Sequence, residues 1–208
     1  MTQTLIQIFA KPPVAGKVKT RLIPELGIQT ATAIYQYCLK SNLEMLDKSE
    51  FDVQVWLTEP SDHELFKRQQ NFIQQGQDLG QRMYHALSFS LKQQPFQKVI
   101  LIGSDCIELT HKILRRVEHK LSQFDLVIIP ALDGGYVLIA AHFSIDKRLF
   151  ENISWSTENV LSETLDIAMN LGISTSVLNP LRDIDQIQDV KHYAELLPFL
   201  NIQSTGKF

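Results

Sequence analysis

Residues 98–103, KVILIG, set four aliphatic side chains in a row, Val99 to Ile102, between a lysine and a glycine. A strand sends successive side chains to opposite faces, so an unbroken apolar run needs apolar cover on both. A sheet with one face in water is excluded. The run predicts a strand near the middle of a sheet with helices on either side, a three-layer α/β/α arrangement. Further short apolar runs follow that plan: LIQIFA (5–10), DVQVWLT (52–58), the edge NFIQQG (71–76), DLVIIPA (125–131), YVLIAA (136–141) and STSVL (174–178). Segments of helical period separate them. Helices are expected over Glu25 to Leu46, with Ala31, Ile34, Cys38 and Met45 near one face, over 62–69, over Asp78 to Lys92 with Asp78 as cap, after a Thr110 cap, over 156–172 and over 187–200. Only LDGG separates DLVIIPA from YVLIAA, too little for a helical crossover, so this pair reads as an antiparallel hairpin. The sheet is therefore expected to be mixed but mostly parallel.

With 208 residues, 44% of them hydrophobic, one domain with a single core is the simplest expectation. It would span residues 1–202, with 203–208 a polar C-terminal tail. The formal charge of −3 gives no global attraction to nucleic acid or to a membrane surface. The N-terminus lacks the features of a secretion signal, and no apolar run approaches the roughly 20 residues needed to span a bilayer. A cytoplasmic location is expected. No coiled-coil seam specifies an oligomer. Cys38 and Cys106 form neither a disulfide framework nor a zinc pattern, and the six histidines show no metal spacing.

An open α/β sheet binds ligands beyond the carboxyl ends of its strands. After the first strand comes KPPVAGKVKTRL (11–22). It fails as a Walker A loop, because Lys11 stands at the first glycine position and Val18 at the hydroxyl, and with Gly16 alone it fails as a dinucleotide fingerprint. What remains is a turn stiffened by Pro12 and Pro13, bent at Gly16 and carrying Lys11, Lys17, Lys19 and Arg21. That composition suits a di- or triphosphate; an ordinary solvated basic loop is the other reading. Asp105, in GSDC after KVILIG, sits where a hard cation such as Mg²⁺ would share carboxylate and phosphate oxygens, or else caps a turn. In an extended LRDID (181–185), Asp183 and Asp185 would point one way and Ile184 the other. Two such carboxylates need a cation between them, unless they cap the next helix or pair with Arg182.

Together KPPVAGKVKTRL, QGQDLGQRM, LIGSDC, PALDGGYVLIA, SWST and DIDQIQDV resemble, in order and spacing, a bacterial glycosyltransferase-like family that includes members associated with arsenosugar biosynthesis. The likeness covers nearly the whole chain. That family is similar to the GT-A nucleotide-diphospho-sugar transferase superfamily and is related to 2-phospholactate and molybdenum-cofactor guanylyltransferases. The resemblance implies that Lys11, Gly16, Lys17, Lys19 and Arg21 hold phosphates, that Gln75, Gly76, Leu79 and Gly80 lie against the base, and that Gly134 and Gly135 approach the sugar or acceptor. Asp105 becomes a ligand of Mg²⁺ or Mn²⁺ with Asp183 or Asp185 as the second carboxylate, and Asp105, Asp133 and Lys19 the catalytic groups, with Asp133 as the base. A bare hairpin turn competes for 132–135, and Trp155 either stacks on a sugar or covers the core. Ile107 replaces a usual proline, and Gln186–Ile187 a usual Thr-Pro, which loosens two turns that aim carboxylates.

Three functions remain in view. The resemblance implies a glycosyltransferase using a nucleotide sugar and an acceptor that the motifs do not name. The basic loop favours a nucleotidyltransferase of the guanylyltransferase type, releasing pyrophosphate. A non-catalytic nucleotide-binding domain is the third.

Overall fold

The structure, a computed structural model, describes residues 3–93 and 95–200; the expected tail at 203–208 lies outside them. Strand β4 (Phe96–Gly103) contains the KVILIG run and lies between β1 (Gln3–Ala10) and β6 (Tyr136–His142). Its two faces are filled as the run requires. Ile100 and Ile102 join Ile6 and Ile8 of β1 under helices α1 (Ile23–Asp47) and α3 (His111–Lys120). Val99 and Leu101 pack on the other side with Met83 and Leu87 of α2 (Leu79–Leu91) and Ala168 of α4 (Val160–Asn170). Fully burying one such side chain contributes about 1.5–3 kcal/mol, so the run by itself commits the chain to three layers.

The remaining strands are β2 (Asp52–Leu57), β3 (Gln70–Ile73), β5 (Leu126–Pro130) and β7 (Thr175–Val177). The seven strands follow the order β3-β2-β1-β4-β6-β5-β7. All pairings are parallel except those of β6, which runs antiparallel to both β4 and β5. The mixed, mostly parallel sheet and the β5–β6 hairpin are thus as the sequence predicts. Because β6 is wedged between β4 and β5, the turn at its start lies at the same sheet edge as the ends of β1, β4 and β5. Asp78 and Thr110 cap α2 and α3, accepting hydrogen bonds from Gln81 N and Ile113 N.

Two predicted helices are corrected. Over 62–69 the chain forms only a short 3₁₀ turn, Glu64–Phe66. Phe66 is its single buried anchor, and one anchor cannot offset the cost of nucleating a helix. The stretch 187–200 divides into α5 (Ile187–His192), a 3₁₀ turn (Ala194–Leu196) and α6 (Leu197–Leu200). Tyr193 is extended there (φ −112°, ψ 122°) and ends α5, while Leu197 before Pro198 is helical and Pro198 takes a place in the first turn of α6. Helix α1 buries two sides: Tyr35, Leu39 and Leu43 meet the sheet, whereas Ala31, Ile34 and Cys38 meet Ile184, Ile187 and Val190 of the C-terminal segment. Met45 packs at the sheet side, not with Ala31, Ile34 and Cys38. No helix among the described residues is long and apolar enough to cross a membrane.

Candidate active site

Beyond the carboxyl ends of β1, β4 and β5 lies a cleft of about 700 Å³. Its walls come from the loop after β1, the start of α2, the loop after β4, the β5–β6 turn, the 155–158 segment and residues 183–185. Of the residues expected from sequence, Lys11, Lys17, Lys19, Arg21, Leu79, Asp105, Asp133, Gly135, Trp155, Asp183 and Asp185 line it. Gly16, Gln75, Gly76, Gly80 and Gly134 do not.

Two of those glycines have packing roles. A Cβ on Gly80 would lie 2.4 Å from the Trp155 ring, and one on Gly134, whose φ is +93°, would lie 2.2 Å from the Glu158 carbonyl oxygen. They let α2 and the β5–β6 turn grip the 155–158 segment from two sides. Trp155 therefore packs against Gly80 while also lining the cleft.

The basic loop is tied down by Tyr35 of α1, whose hydroxyl accepts from Lys11 N–H at 2.8 Å and donates to the Lys11 carbonyl at 2.9 Å. Val18 and Leu22 are buried on either side of Lys19. Lys19 itself has a left-handed backbone (φ 46°, ψ 44°), uncommon for a residue with a side chain. Its side chain is only 4% exposed, while those of Lys17 and Arg21 are mostly exposed. Lys19 Nζ donates to Asp105 Oδ2 at 2.6 Å and to Asp185 Oδ1 at 3.4 Å. Burial alone would lower its pKa, but the charges of Asp105 and Asp185 prevail and hold it above the ordinary lysine value. Arg21 donates to the other Asp185 oxygen at 2.5 Å.

The segment carrying Asp183 and Asp185 is fixed by its backbone. Ile184 is fully buried, and its N–H donates to the Asp105 carbonyl at 3.0 Å. Both neighbouring carboxylates consequently face the cleft, as the expected alternation requires. Arg182 N–H donates to Glu108 at 2.9 Å and the Arg182 guanidinium to Asp189 at 2.9 Å. Asp189 also accepts from the N–H groups of Asp185 and Gln186. Arg182 thus pairs with Asp189, and it is Asp189 that serves the start of α5. Where the family pattern has Thr-Pro, Asp189 here fixes the turn. The sequence reading missed Tyr35, Glu108 and Asp189 as positioning groups; the three-residue spacing of Gln186 and Asp189 was the available signal. It also passed over Arg82, which lines the cleft and donates to the Gly76 carbonyl at 3.1 Å.

Burial first, and then the charges of Asp105 and Asp133, push the Asp183 carboxyl up to about 6. Among the described residues no group of three or more His, Cys, Asp or Glu side chains is arranged to hold a metal ion unaided. Asp105 with Asp183 nonetheless suits a hard divalent cation that takes its remaining oxygens from phosphates and water, because such a cation would offset both the burial of the Asp183 charge and its repulsion by Asp105. The two cysteines are buried, and burial pushes both thiols up to about 12, far from a reactive state.

A family described as "Uncharacterized protein conserved in bacteria (DUF2064)" matches residues 42–157. That span includes Asp105 and Asp133 but neither the basic loop nor Asp183 and Asp185. No curated protein matches the chain. Among solved structures, a protein from Desulfovibrio desulfuricans G20, provisionally assigned as a nucleotide-diphospho-sugar transferase, superposes with a TM-score of 0.86 at 27% identity, over 99% of this chain and 90% of that one. A cytidylyltransferase from Leptospira borgpetersenii matches over 99% and 96% of the two chains, with a TM-score of 0.59 and 17% identity. A 4-diphosphocytidyl-2C-methyl-D-erythritol synthase from Anaerococcus prevotii covers 95% of this chain and 99% of its own, with a TM-score of 0.58 and 10% identity. The last two share the fold.

Proposed function

We propose that this chain, which belongs to the DUF2064 family of uncharacterized proteins conserved in bacteria, is a transferase that takes a group from a nucleotide-activated donor, and that the donor is a nucleotide sugar. The observation that carries the reading is the charge balance of the cleft. Lys11, Lys17, Lys19, Arg21 and Arg82 line it together with Asp105, Asp133, Glu158, Asp183 and Asp185, five cations against five carboxylates. A nucleoside diphosphate sugar has about two negative charges on its diphosphate, so with one divalent cation it enters such a cleft without upsetting the balance. The Desulfovibrio protein, similar over nearly the whole chain, supports the same class of donor.

In this reading Lys11, Lys17 and Arg82 bind the diphosphate, and their charges stabilise the leaving nucleoside diphosphate more as its bond breaks than before. A divalent cation held by Asp105 and Asp183 would add electrostatic stabilisation of that leaving group. Leu79, exposed at the start of α2, offers apolar surface to the base. Asp133 takes the acceptor hydroxyl proton: its Oδ1 accepts from Gly135 N–H at 3.0 Å, which fixes the carboxylate and leaves Oδ2 for the substrate. Donor and acceptor are small molecules of the cytoplasm, and the likeness to arsenosugar-associated glycosyltransferases makes a sugar-bearing product the natural expectation.

Nucleotidyl transfer from a triphosphate, guanylyltransferase-like, is the second reading. It is favoured by Lys11 and Arg82, which among the described residues make no ion pair with a carboxylate and could take a third phosphate. The test is a panel of nucleotide sugars and nucleoside triphosphates with Mg²⁺ or Mn²⁺, followed by melting temperature and product analysis. A true donor at about 100 times its Kd should raise the melting temperature by roughly 5–10 °C. Release of a nucleoside diphosphate from a nucleotide sugar supports the proposal. Release of pyrophosphate from a triphosphate replaces it with the second reading, and binding without turnover in every case leaves a binding domain.

A further inference from the structure

We infer that Lys19 is a resident counter-cation that keeps a divalent ion out of the carboxylate cluster until a phosphate-bearing ligand arrives, so that metal and donor enter together. The inference rests on the cleft being a nucleotide-donor site. Its ground is the position of one ammonium group. Lys19 Nζ lies 2.6 Å from Asp105 and 3.4 Å from Asp185, between two carboxylates of the set that the sequence assigns to the metal. Arg21 occupies the remaining Asp185 oxygen. Asp105 and Asp185 are therefore already neutralised by protein cations, and of the three carboxylates assigned to the metal only Asp183 makes no ion pair among the described residues.

The ammonium is held there. Buried Val18 and Leu22 anchor the backbone on both sides, the left-handed conformation at Lys19 aims the side chain inward, and only 4% of that side chain is exposed. A divalent ion approaching Asp105 thus meets a fixed positive charge at close range, in a site where the local dielectric is well below that of water. It also meets too few oxygens, since a hard cation with one or two carboxylates completes its ligands from phosphates and water. A diphosphate changes both conditions. It brings oxygens, and it can draw away Arg21, whose side chain is 59% exposed. Lys19 can then share its charge with the phosphate while Asp105 keeps one oxygen for the ion.

The test measures Mn²⁺ retained by the protein on ultrafiltration, with protein-free Mn²⁺–pyrophosphate as the blank, for the wild-type protein, Lys19→Met and Lys19→Arg, each with and without inorganic pyrophosphate. Pyrophosphate serves because it needs no knowledge of the base. The expected wild-type result is weak retention of Mn²⁺ alone and at least about tenfold tighter retention with pyrophosphate. Lys19→Met should bind Mn²⁺ alone about tenfold or more tighter than wild type and bind pyrophosphate correspondingly weaker, while Lys19→Arg restores the wild-type order. A merely structural salt bridge would not increase metal affinity when removed. Equal Mn²⁺ affinity in wild type and Lys19→Met overturns the inference. If Lys19→Met does not fold, the wild-type pair decides: equal Mn²⁺ affinity with and without pyrophosphate overturns it, and the tenfold gain supports it. If neither pyrophosphate nor any nucleotide binds under any condition, the donor-site reading fails separately, and the Mn²⁺-only comparison of wild type with Lys19→Met still decides the role of Lys19.

Discussion

Of the three carboxylates proposed for the metal, Asp183 is the one that makes no ion pair among the described residues. Its pKa is about 6 in the fold against an ordinary 3.8, so the folded protein holds this proton more tightly than the unfolded chain does. Stability from this group is therefore lost as the pH rises from about 4 to about 6, and the loss is complete above that range. Asp183→Asn removes the titration. In chelator at pH 8 the variant should melt above the wild type by the equivalent of about 1 kcal/mol, allowing for solvent screening of a half-buried group, or roughly 2–4 °C. Near pH 4 the two should coincide. A variant that melts lower at pH 8 would show instead that the ionised carboxylate supports the fold. Neither this penalty nor the burial of Lys19 was legible in the sequence. Lys19 is one of four cations in an eleven-residue stretch, and what singles it out is a backbone turn and two distant aspartates. Asp105 was legible, because a buried strand ending in a carboxylate leaves few other places for it.

Among the elements, the start of α2 and the 155–158 segment depend on one missing side chain. Gly80→Ala would drive a methyl group into the Trp155 ring and within 2.8 Å of the Phe150 carbonyl oxygen. Overpacking of this kind costs about 1–3 kcal/mol, so the melting temperature should fall by roughly 2–10 °C, with donor affinity falling too as the cleft wall shifts. Gly172→Ala is the control: its φ is +69° but nothing lies within 4 Å, so stability should drop by about 1 kcal/mol with donor affinity intact. Equal effects of the two substitutions on donor binding would refute the role given to Gly80. This packing was not legible in the sequence, because QGQDLG looks the same whether its glycine faces a base or an indole. The same limit explains residues 62–69, whose polarity fits a helix but whose burial rests on Phe66.

At the scale of the molecule, periodicity was enough for the architecture, since KVILIG and the short LDGG turn allow few alternatives. Hydrogen exchange should reflect it. Amides of Val99 to Ile102 and Leu5 to Ile8, in the buried middle of the sheet, are expected to open only with global unfolding, and those of the edge strands β3 and β7 well before it. Uniform protection across the sheet would contradict that order. The place of β6 was less legible, because a hairpin seen in sequence does not say which of its strands meets β4. That place has a consequence for size. Asp105 follows β4 and Asp133 follows β5, and the interposed β6 puts their strand ends two interstrand spacings apart, roughly 9.5 Å. The gauge of the opening is thereby counted in backbone repeats: substitutions on its rim can change which molecule is chosen, but how broad that molecule is allowed to be was settled by the weave beneath.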